Sequence, residues 1–143
     1  MNIKKTGFSL NHNVLVFLLI CLISISSLLA EEVILKTVTA DDFSLALELQ
    51  RSEGGGILLD VRTPEEYADG NAPTSVNIDF YDGDFQSKIS ALNRDETYFL
   101  YCHSGNRSGR TLRIMKNLGF HHVYDLSGGW LRNSARLLAV EEL

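Results

Sequence analysis

Cysteine, proline and tryptophan are scarce in this chain of 143 residues, which has two cysteines, two prolines and one tryptophan. Cys21 lies inside an apolar N-terminal run, so Cys102 is the single thiol of the remaining chain. That remainder therefore has no disulfide framework and no zinc site with several cysteine ligands. It also has no second, resolving cysteine that could attack an intermediate formed on the first. His121 and His122 are adjacent, which is not the spacing of two ligands on one helix face. We expect neither a metal nor another cofactor.

An excess of positive charge is also absent, since the formal net charge is −5. A protein that binds the phosphates of nucleic acid needs the opposite balance, so nucleic acid is not an expected partner. Arg107, Arg110, Arg113 and Lys116 do form one local group of cations. By default such a group is a solvated helix face, although it can also attract small anions to a nearby site.

The first thirty residues differ in composition from the rest. Lys4 and Lys5 precede an apolar stretch at 14–23, and small and polar residues follow up to Ala30. This order is typical of a secretory signal peptide, and the two lysines keep the N-terminus in the cytoplasm. Residues 1–30 are predicted to be a signal peptide, or an N-terminal membrane anchor if they are not cleaved. Residues 31–143 are predicted to be one periplasmic or secreted domain, in contact with a membrane only if the leader is retained.

Strand-like runs alternate with helix-like runs through residues 33–140. Such alternation predicts an α/β fold in which a single open parallel sheet carries helices on both faces. One helix start is specified in detail, because Thr63, Pro64 and Glu66 have the order of a capping box with proline at the first helical position. The predicted strands are 33–35, one ending near 60, 75–78, 97–101 and one at 123, and the predicted helices are 39–50, one from 64, 85–92, 111–118 and one from 130.

The most informative stretch joins the strand at 97–101 to the helix at 111–118. Cys102 follows the strand, Gly105 permits an inward turn of the backbone, and Arg107 adds a cation. Ser108 is expected to cap the following helix. Because backbone amides and a helix N-terminus favour an anion, the loop is expected to hold Cys102 as a nucleophilic thiolate. A buried structural cysteine is the alternative, and the polar residues after Cys102 argue against it.

This loop, residues 102–108 with the order Cys-His-Ser-Gly-Asn-Arg-Ser, resembles the active-site loop of the rhodanese family of single-domain sulfurtransferases. Residues 60–67 and 123–130 are similar to two further signatures of that family. Two positions depart from the family pattern. His103 stands where the family usually has arginine, and residues 71–75 replace its usual His-Ile-Pro-Gly-Ala stretch. With its export signal, the chain resembles the phage-shock periplasmic type.

The resemblance implies that Cys102 takes a sulfane sulfur from a small anionic donor such as thiosulfate and carries it as a persulfide to a thiol, to cyanide or to a protein acceptor. The amides of residues 103–107 are expected to stabilise the charge, and Arg107 to orient the loop and hold anionic substrate. Asp60 and Arg62 are expected to form a buried anchoring pair more readily than a substrate contact, and Trp130 to pack in the core or line the rim. The implied active-site loop comprises His103, Ser104, Gly105, Asn106, Arg107 and Ser108.

Two other functions remain open on the sequence. A non-catalytic module that carries sulfur or binds a partner protein would use the same loop. A phosphatase or arsenate reductase is the weaker enzyme alternative. Tyrosine phosphatases place five residues between their cysteine and arginine, whereas four separate Cys102 from Arg107. The shorter loop suits a single sulfur atom better than a tetrahedral phosphate.

Overall fold

The structure, a computed structural model, describes residues 11–28 and 32–142 and divides the chain into two compact units at Glu32 and Val33. In the first unit, helix α1 spans His12–Leu28 and exposes apolar side chains such as Phe17. No helix within the described ranges is long and apolar enough to cross a membrane. The two lysines of the predicted leader and its last residue, Ala30, lie outside the described residues.

The second unit is built on a five-stranded sheet in which all neighbouring strands are parallel, in the order β1-β5-β4-β2-β3. This confirms the α/β fold with one open parallel sheet. The strands are β1 Ile34–Val38, β2 Ile57–Asp60, β3 Val76–Asn77, β4 Thr97–Tyr101 and β5 His122–Leu126. The helices are α2 Ala40–Ser52, α3 Pro64–Ala68, α4 Phe85–Ser90, α5 Asn106–Asn117 and α6 Gly129–Leu138, followed by a 3₁₀ helix at Ala139–Glu142.

Helices cover both faces of this sheet. Side chains along β4 point alternately to the two faces, so Phe99 and Leu100 belong to different core clusters. Phe99 packs with Phe43 of α2, whose ring lies edge-on with the centroids 5.3 Å apart. Leu100 lies in the cluster that contains Ile89 of α4 and Met115 of α5. The two cores fix the central strand that leads to Cys102.

The capping box predicted at the start of α3 is confirmed. The Glu66 amide donates to Thr63 Oγ1 over 3.3 Å, and the Thr63 amide donates to Glu66 Oε2 over 3.0 Å. Pro64 occupies the first helical position, where its missing N–H leaves no unpaired donor. The side chains of Thr63 and Glu66 therefore satisfy each other's backbone amides at this helix end.

The start of α5 differs from the prediction. The helix begins at Asn106, because Gly105 adopts a left-handed conformation with φ +96° and turns the chain directly into the helix. Ser108 therefore lies inside the first turn, fully buried, and the prediction that it caps the helix is wrong. The polar residues after Cys102 conceal this early start, because they read as a loop in the sequence.

Candidate active site

Cys102 follows the last residue of β4 and is completely buried. The backbone N–H of Gly105 donates to Cys102 Sγ over 3.1 Å, and Ser108 Oγ lies 3.5 Å from the same sulfur. Two hydrogen-bond donors thus converge on one sulfur at the N-terminus of α5. Donors fixed in this way stabilise negative charge on the atom that they face.

The loop is tied back by the start of α6. The Cys102 carbonyl accepts from the Trp130 amide over 2.7 Å, and the His103 carbonyl accepts from the Leu131 amide over 2.8 Å. The backbones approach so closely that a Cβ on Gly129 would lie 2.2 Å from the Cys102 carbonyl oxygen. Gly129 also has φ +53°, a region that favours glycine. A glycine at 129 is thus needed for this close approach of α6 to the carbonyls of the loop.

Arg107 is held by a carboxylate that the sequence argument did not connect with it. Its Nη1 and Nη2 donate to Glu66 Oε2 and Oε1 over 2.6 Å and 2.7 Å, a bidentate pair. The hydrogen bonds from Arg107 lower the pKa of Glu66 from 4.5 to about 2, and a backbone hydrogen bond from Thr63 adds to this. Glu66 therefore cancels much of the charge that Arg107 brings to the loop.

Asp60 and Arg62 form a second and fully buried pair. Arg62 Nε and Nη2 donate to Asp60 Oδ2 over 2.9 Å and 2.6 Å, and Arg62 Nη2 also donates to the Gly70 carbonyl over 2.7 Å. The guanidinium carbon lies 4.4 Å from the ring centroid of Trp130, which is half-buried and stacks on Tyr101. Trp130 links this pair to the loop, because its amide is bonded to the Cys102 carbonyl.

The remaining loop side chains lie at the surface. His103, Ser104 and Asn106 are exposed, and His103 Nδ1 is 3.7 Å from Glu66 Oε1. Tyr81, which the sequence argument also did not single out, is 68% exposed, and its ring centroid lies 5.5 Å from the guanidinium carbon of Arg107. The loop that follows the buried sulfur thus carries exposed polar side chains, and an exposed aromatic ring lies beside Arg107.

One further acidic group is buried within the sheet. Asp125, in the interior of β5, is 1% exposed, and Thr37 Oγ1 donates to its Oδ2 over 2.8 Å. In the sequence, Asp125 is recognisable as an aspartate inside an otherwise apolar strand. The sequence argument assigned it no role. Buried charges are usually paired, so an acid in such a position needs an explanation.

Known proteins share both the sequence pattern and the fold. The Rhodanese family profile, described as a Rhodanese-like domain, matches residues 42–134. A sulfurtransferase of Allochromatium vinosum is 30% identical over 104 residues, which are 71% of this chain and 94% of that protein. A putative mitochondrial thiosulfate sulfurtransferase of Schizosaccharomyces pombe is 28% identical over 118 residues, which are 73% of this chain and 83% of that protein.

Solved structures agree with this assignment. The crystal structure of a rhodanese-related protein from Thermoplasma volcanium superposes with a TM-score of 0.53 at 30% identity, covering 66% of this chain and 85% of that one. The profile match spans more than half of the chain and contains Cys102 together with the loop that surrounds it. The chain therefore belongs to the rhodanese family.

Proposed function

We propose that this protein is a thiosulfate sulfurtransferase that holds the transferred sulfur on Cys102 as a persulfide. The observation that carries the proposal is the pair of donors from Gly105 and Ser108 that converge on the buried Sγ. The relatives named as sulfurtransferases support sulfur transfer in general. The donor and the intermediate are our inference from the chemistry of the loop.

In the first half-reaction, the Cys102 thiolate attacks the outer sulfur of thiosulfate. An Sγ–S bond forms, the bond between the two sulfurs of thiosulfate breaks, and its electron pair leaves with sulfite. The negative charge then lies on the outer sulfur of the persulfide. In the second half-reaction, cyanide or a thiolate attacks that outer sulfur and the Sγ–S bond breaks, which restores the Cys102 thiolate. With cyanide as the acceptor, the product is thiocyanate.

The loop backbone provides most of the charge stabilisation in this scheme. The Gly105 amide already faces Sγ, the other amides of residues 103–107 are expected to bind the outer sulfur, and the N-terminus of α5 adds its dipole. Both terminal nitrogens of Arg107 are bound to the Glu66 carboxylate. The main role of Arg107 is therefore to fix the shape of the loop. Contact with the anionic donor falls to the amides and to the exposed side chains of His103 and Ser104.

The cellular setting follows from the predicted leader. If residues 1–30 direct export, the domain works in the periplasm or outside the cell, and Cys102 is its only thiol. Since no second cysteine in the exported domain can take the sulfur, the acceptor comes from outside the chain. Small thiols, cyanide and an exported protein thiol are the acceptors that fit this scheme.

A second candidate function is a module that passes sulfur only to, or simply binds, a protein partner. The exposed apolar surface beside the loop favours it. Tyr81 is 68% exposed and Leu131 is 63% exposed, while the Leu131 amide is bonded to the His103 carbonyl. A partner could cover these side chains while it reaches Cys102.

Thiocyanate formation from thiosulfate and cyanide tests the first proposal. We expect turnover by the full chain and none by Cys102→Ser, with Cys21→Ser as the matched control that keeps wild-type activity. Mass spectrometry after thiosulfate alone should show one added sulfur on the wild type. Absence of thiocyanate above the Cys102→Ser background would reject thiosulfate transfer. A stoichiometric protein partner that Cys102→Ser still binds would then favour the second candidate.

A further inference from the structure

Tyr81 has no role in the mechanism above, yet it lies at the same edge of the sheet as Cys102. It comes four positions after Asn77, the last residue of β3, and Cys102 directly follows β4. Because β3, β2 and β4 are parallel neighbours, both residues follow the carboxyl ends of their strands. Two strand spacings, about 10 Å, separate these ends. A small organic molecule bound at the sulfur can span that distance.

Printed contacts join the Tyr81 ring to the first turn of α5. The ring centroid lies 5.5 Å from the guanidinium carbon of Arg107, the second residue of that helix. The next residue is Ser108, whose Oγ lies 3.5 Å from Cys102 Sγ. The ring therefore packs against the neighbour of a residue that contacts the sulfur.

The Tyr81 ring is held in place although it is exposed. The Tyr81 amide donates to Asp79 Oδ1 over 2.9 Å, which turns the chain after β3. The ring meets Phe80 edge-on with the centroids 5.5 Å apart, and the centroids of Phe80 and Phe85 of α4 are 5.0 Å apart. Since Tyr81 is 68% exposed, most of its surface remains open. A ring that is already fixed loses little entropy when a ligand packs on it.

The charge beside this ring is already paired. Both terminal nitrogens of Arg107 donate to Glu66, over 2.6 Å and 2.7 Å. Arg110, the next cation along α5, lies over the ring of Phe80 with its guanidinium carbon 4.8 Å from the centroid. A free cation would favour an anionic group at this position. An open ring beside a paired arginine instead favours an aromatic group, which packs on it by burial and ring–ring contact.

We propose that Tyr81 is a specificity-determining residue that selects small aromatic thiols as sulfur acceptors. The acceptor thiolate attacks the outer sulfur of the Cys102 persulfide while its aromatic group packs on the Tyr81 ring. A bond forms between the acceptor sulfur and the outer sulfur, and the Sγ–S bond breaks. Its electron pair stays on Sγ, which restores the Cys102 thiolate, and the product is an organic persulfide anion.

The distances agree with this arrangement. Two consecutive S–S bonds, from Sγ to the outer sulfur and on to the acceptor sulfur, span about 4 Å. A benzyl group has a length comparable to the remainder of the separation between the ends of β4 and β3. The inference rests on Cys102 carrying sulfur in the proposed function, and it does not depend on which donor supplies that sulfur.

Single turnover of the loaded protein tests this proposal. The full chain with Cys21→Ser as background is loaded on Cys102 with inorganic polysulfide, freed of it, and mixed with benzyl mercaptan, 2-mercaptoethanol or cyanide. Intact mass follows the loss of the added sulfur. We expect benzyl mercaptan to react faster than 2-mercaptoethanol at equal thiolate concentration. Tyr81→Ala should lower the ratio of these two rate constants about tenfold, and Tyr81→Phe should keep it because the ring remains.

Two exposed leucines provide matched controls. Leu131 is 63% exposed on α6, whose start adjoins the loop, and Leu49 is 58% exposed on α2. Leu131→Ala and Leu49→Ala should both keep the wild-type ratio. An unchanged ratio in Tyr81→Ala would overturn the proposal. An equal fall of all three rate constants would overturn it too, because the ring would then only support Arg107. A fall in Leu131→Ala alone would place the aromatic group on α6 instead.

Alkylation of Cys102 provides a second measurement that uses neither a sulfur donor nor a persulfide. The protein is treated with iodoacetamide and with its N-benzyl derivative, and the two rate constants are compared. The ratio of the benzyl to the parent reagent should fall about tenfold in Tyr81→Ala and stay unchanged in Tyr81→Phe. Equal ratios in the wild type and Tyr81→Ala would contradict the proposal. Because this ratio can be measured even if thiosulfate is not a donor, failure of thiosulfate transfer remains distinguishable from failure here.

Discussion

Two arginine–carboxylate pairs lie at the carboxyl edge of the sheet, and they differ in burial and in sequence separation. Asp60 and Arg62 are two residues apart, with side chains 0% and 2% exposed. Glu66 and Arg107 are 41 residues apart, with side chains 31% and 12% exposed. The first pair joins the end of one strand to the loop after it. The second joins the start of α3 to the first turn of α5, next to the loop after Cys102.

This difference in burial indicates that the first pair stabilises the fold and that the second fixes the geometry of the site. In the buried pair, each charge depends on the other for solvation, so the loss of one partner leaves an uncompensated charge in the core. In the half-buried pair, water can replace part of a lost interaction, so the expected damage is to the geometry of the loop. The following changes test that distinction, from the largest expected effect to the smallest.

Removal of Asp60 should cause the largest loss of stability. Asp60→Ala leaves Arg62 buried without its carboxylate, and we expect the free energy of unfolding to fall by about 3–5 kcal/mol. Chemical denaturation of the full chain measures this. Asp95→Asn removes an exposed carboxylate and should change stability little. If Asp60→Ala costs no more than that control, the pair does not anchor the fold.

Removal of Arg107 should reduce sulfur transfer more than stability. Arg107→Ala should lower the free energy of unfolding by only about 1 kcal/mol, since the pair is partly exposed. The rate of thiocyanate formation should fall at least tenfold, because the loop that aims its amides at the sulfur loses its tie to α3. Arg107→Lys keeps the charge but not the bidentate geometry, so it should stay slow. Recovery of activity in the lysine variant would show that charge alone matters.

The ionisation of Glu66 should contribute to the pH dependence of stability in acid. Its pKa is lowered from 4.5 to about 2, chiefly by hydrogen bonds from Arg107, so the folded state holds the carboxylate more strongly than the unfolded chain does. This stabilisation is present above pH 4.5 and is lost as pH falls towards about 2. Glu66→Gln keeps a side chain that can complete the capping box. Because glutamine does not ionise, this variant should not lose stability through protonation at position 66 as the pH falls. Parallel pH slopes of stability between pH 4.5 and 2 in the two proteins would contradict the assignment.

A third arginine contact, at the surface, should matter least. Arg51 Nη2 donates to Thr74 Oγ1 over 2.7 Å, and Thr74 has φ +62° where the family stretch usually has glycine. Thr74→Gly relieves a strained β-branched residue but loses this bond and adds chain entropy, so we expect a net change within about 0.5 kcal/mol. Thermal unfolding checks it, and a loss above 1 kcal/mol would mean that the exposed contact is structural.

The sequence predicts local features of this molecule better than long-range ones. The capping box at Thr63 follows from side-chain identity over a few residues, and so does the buried strand before Cys102. The pairing of Glu66 with Arg107 depends on β2 lying next to β4, and alternation of strands and helices does not specify that neighbour order. The early start of α5 depends on the left-handed Gly105, which residue type permits but does not require. The position of Asp125 inside an apolar strand is evident in the sequence, but the residues that surround its carboxyl come from other elements and could not be predicted.

The tie between α6 and the loop carbonyls has an evolutionary consequence. The Trp130 and Leu131 amides bind the carbonyls of Cys102 and His103, so backbone groups and not the side chains at 103 and 104 form this tie. Those side chains are exposed and can change without disturbing the N–H group that meets the sulfur. Under the proposed function, selection can therefore alter the side chains at 103 and 104 that meet the sulfur donor, while Cys102 and its backbone donor stay the same.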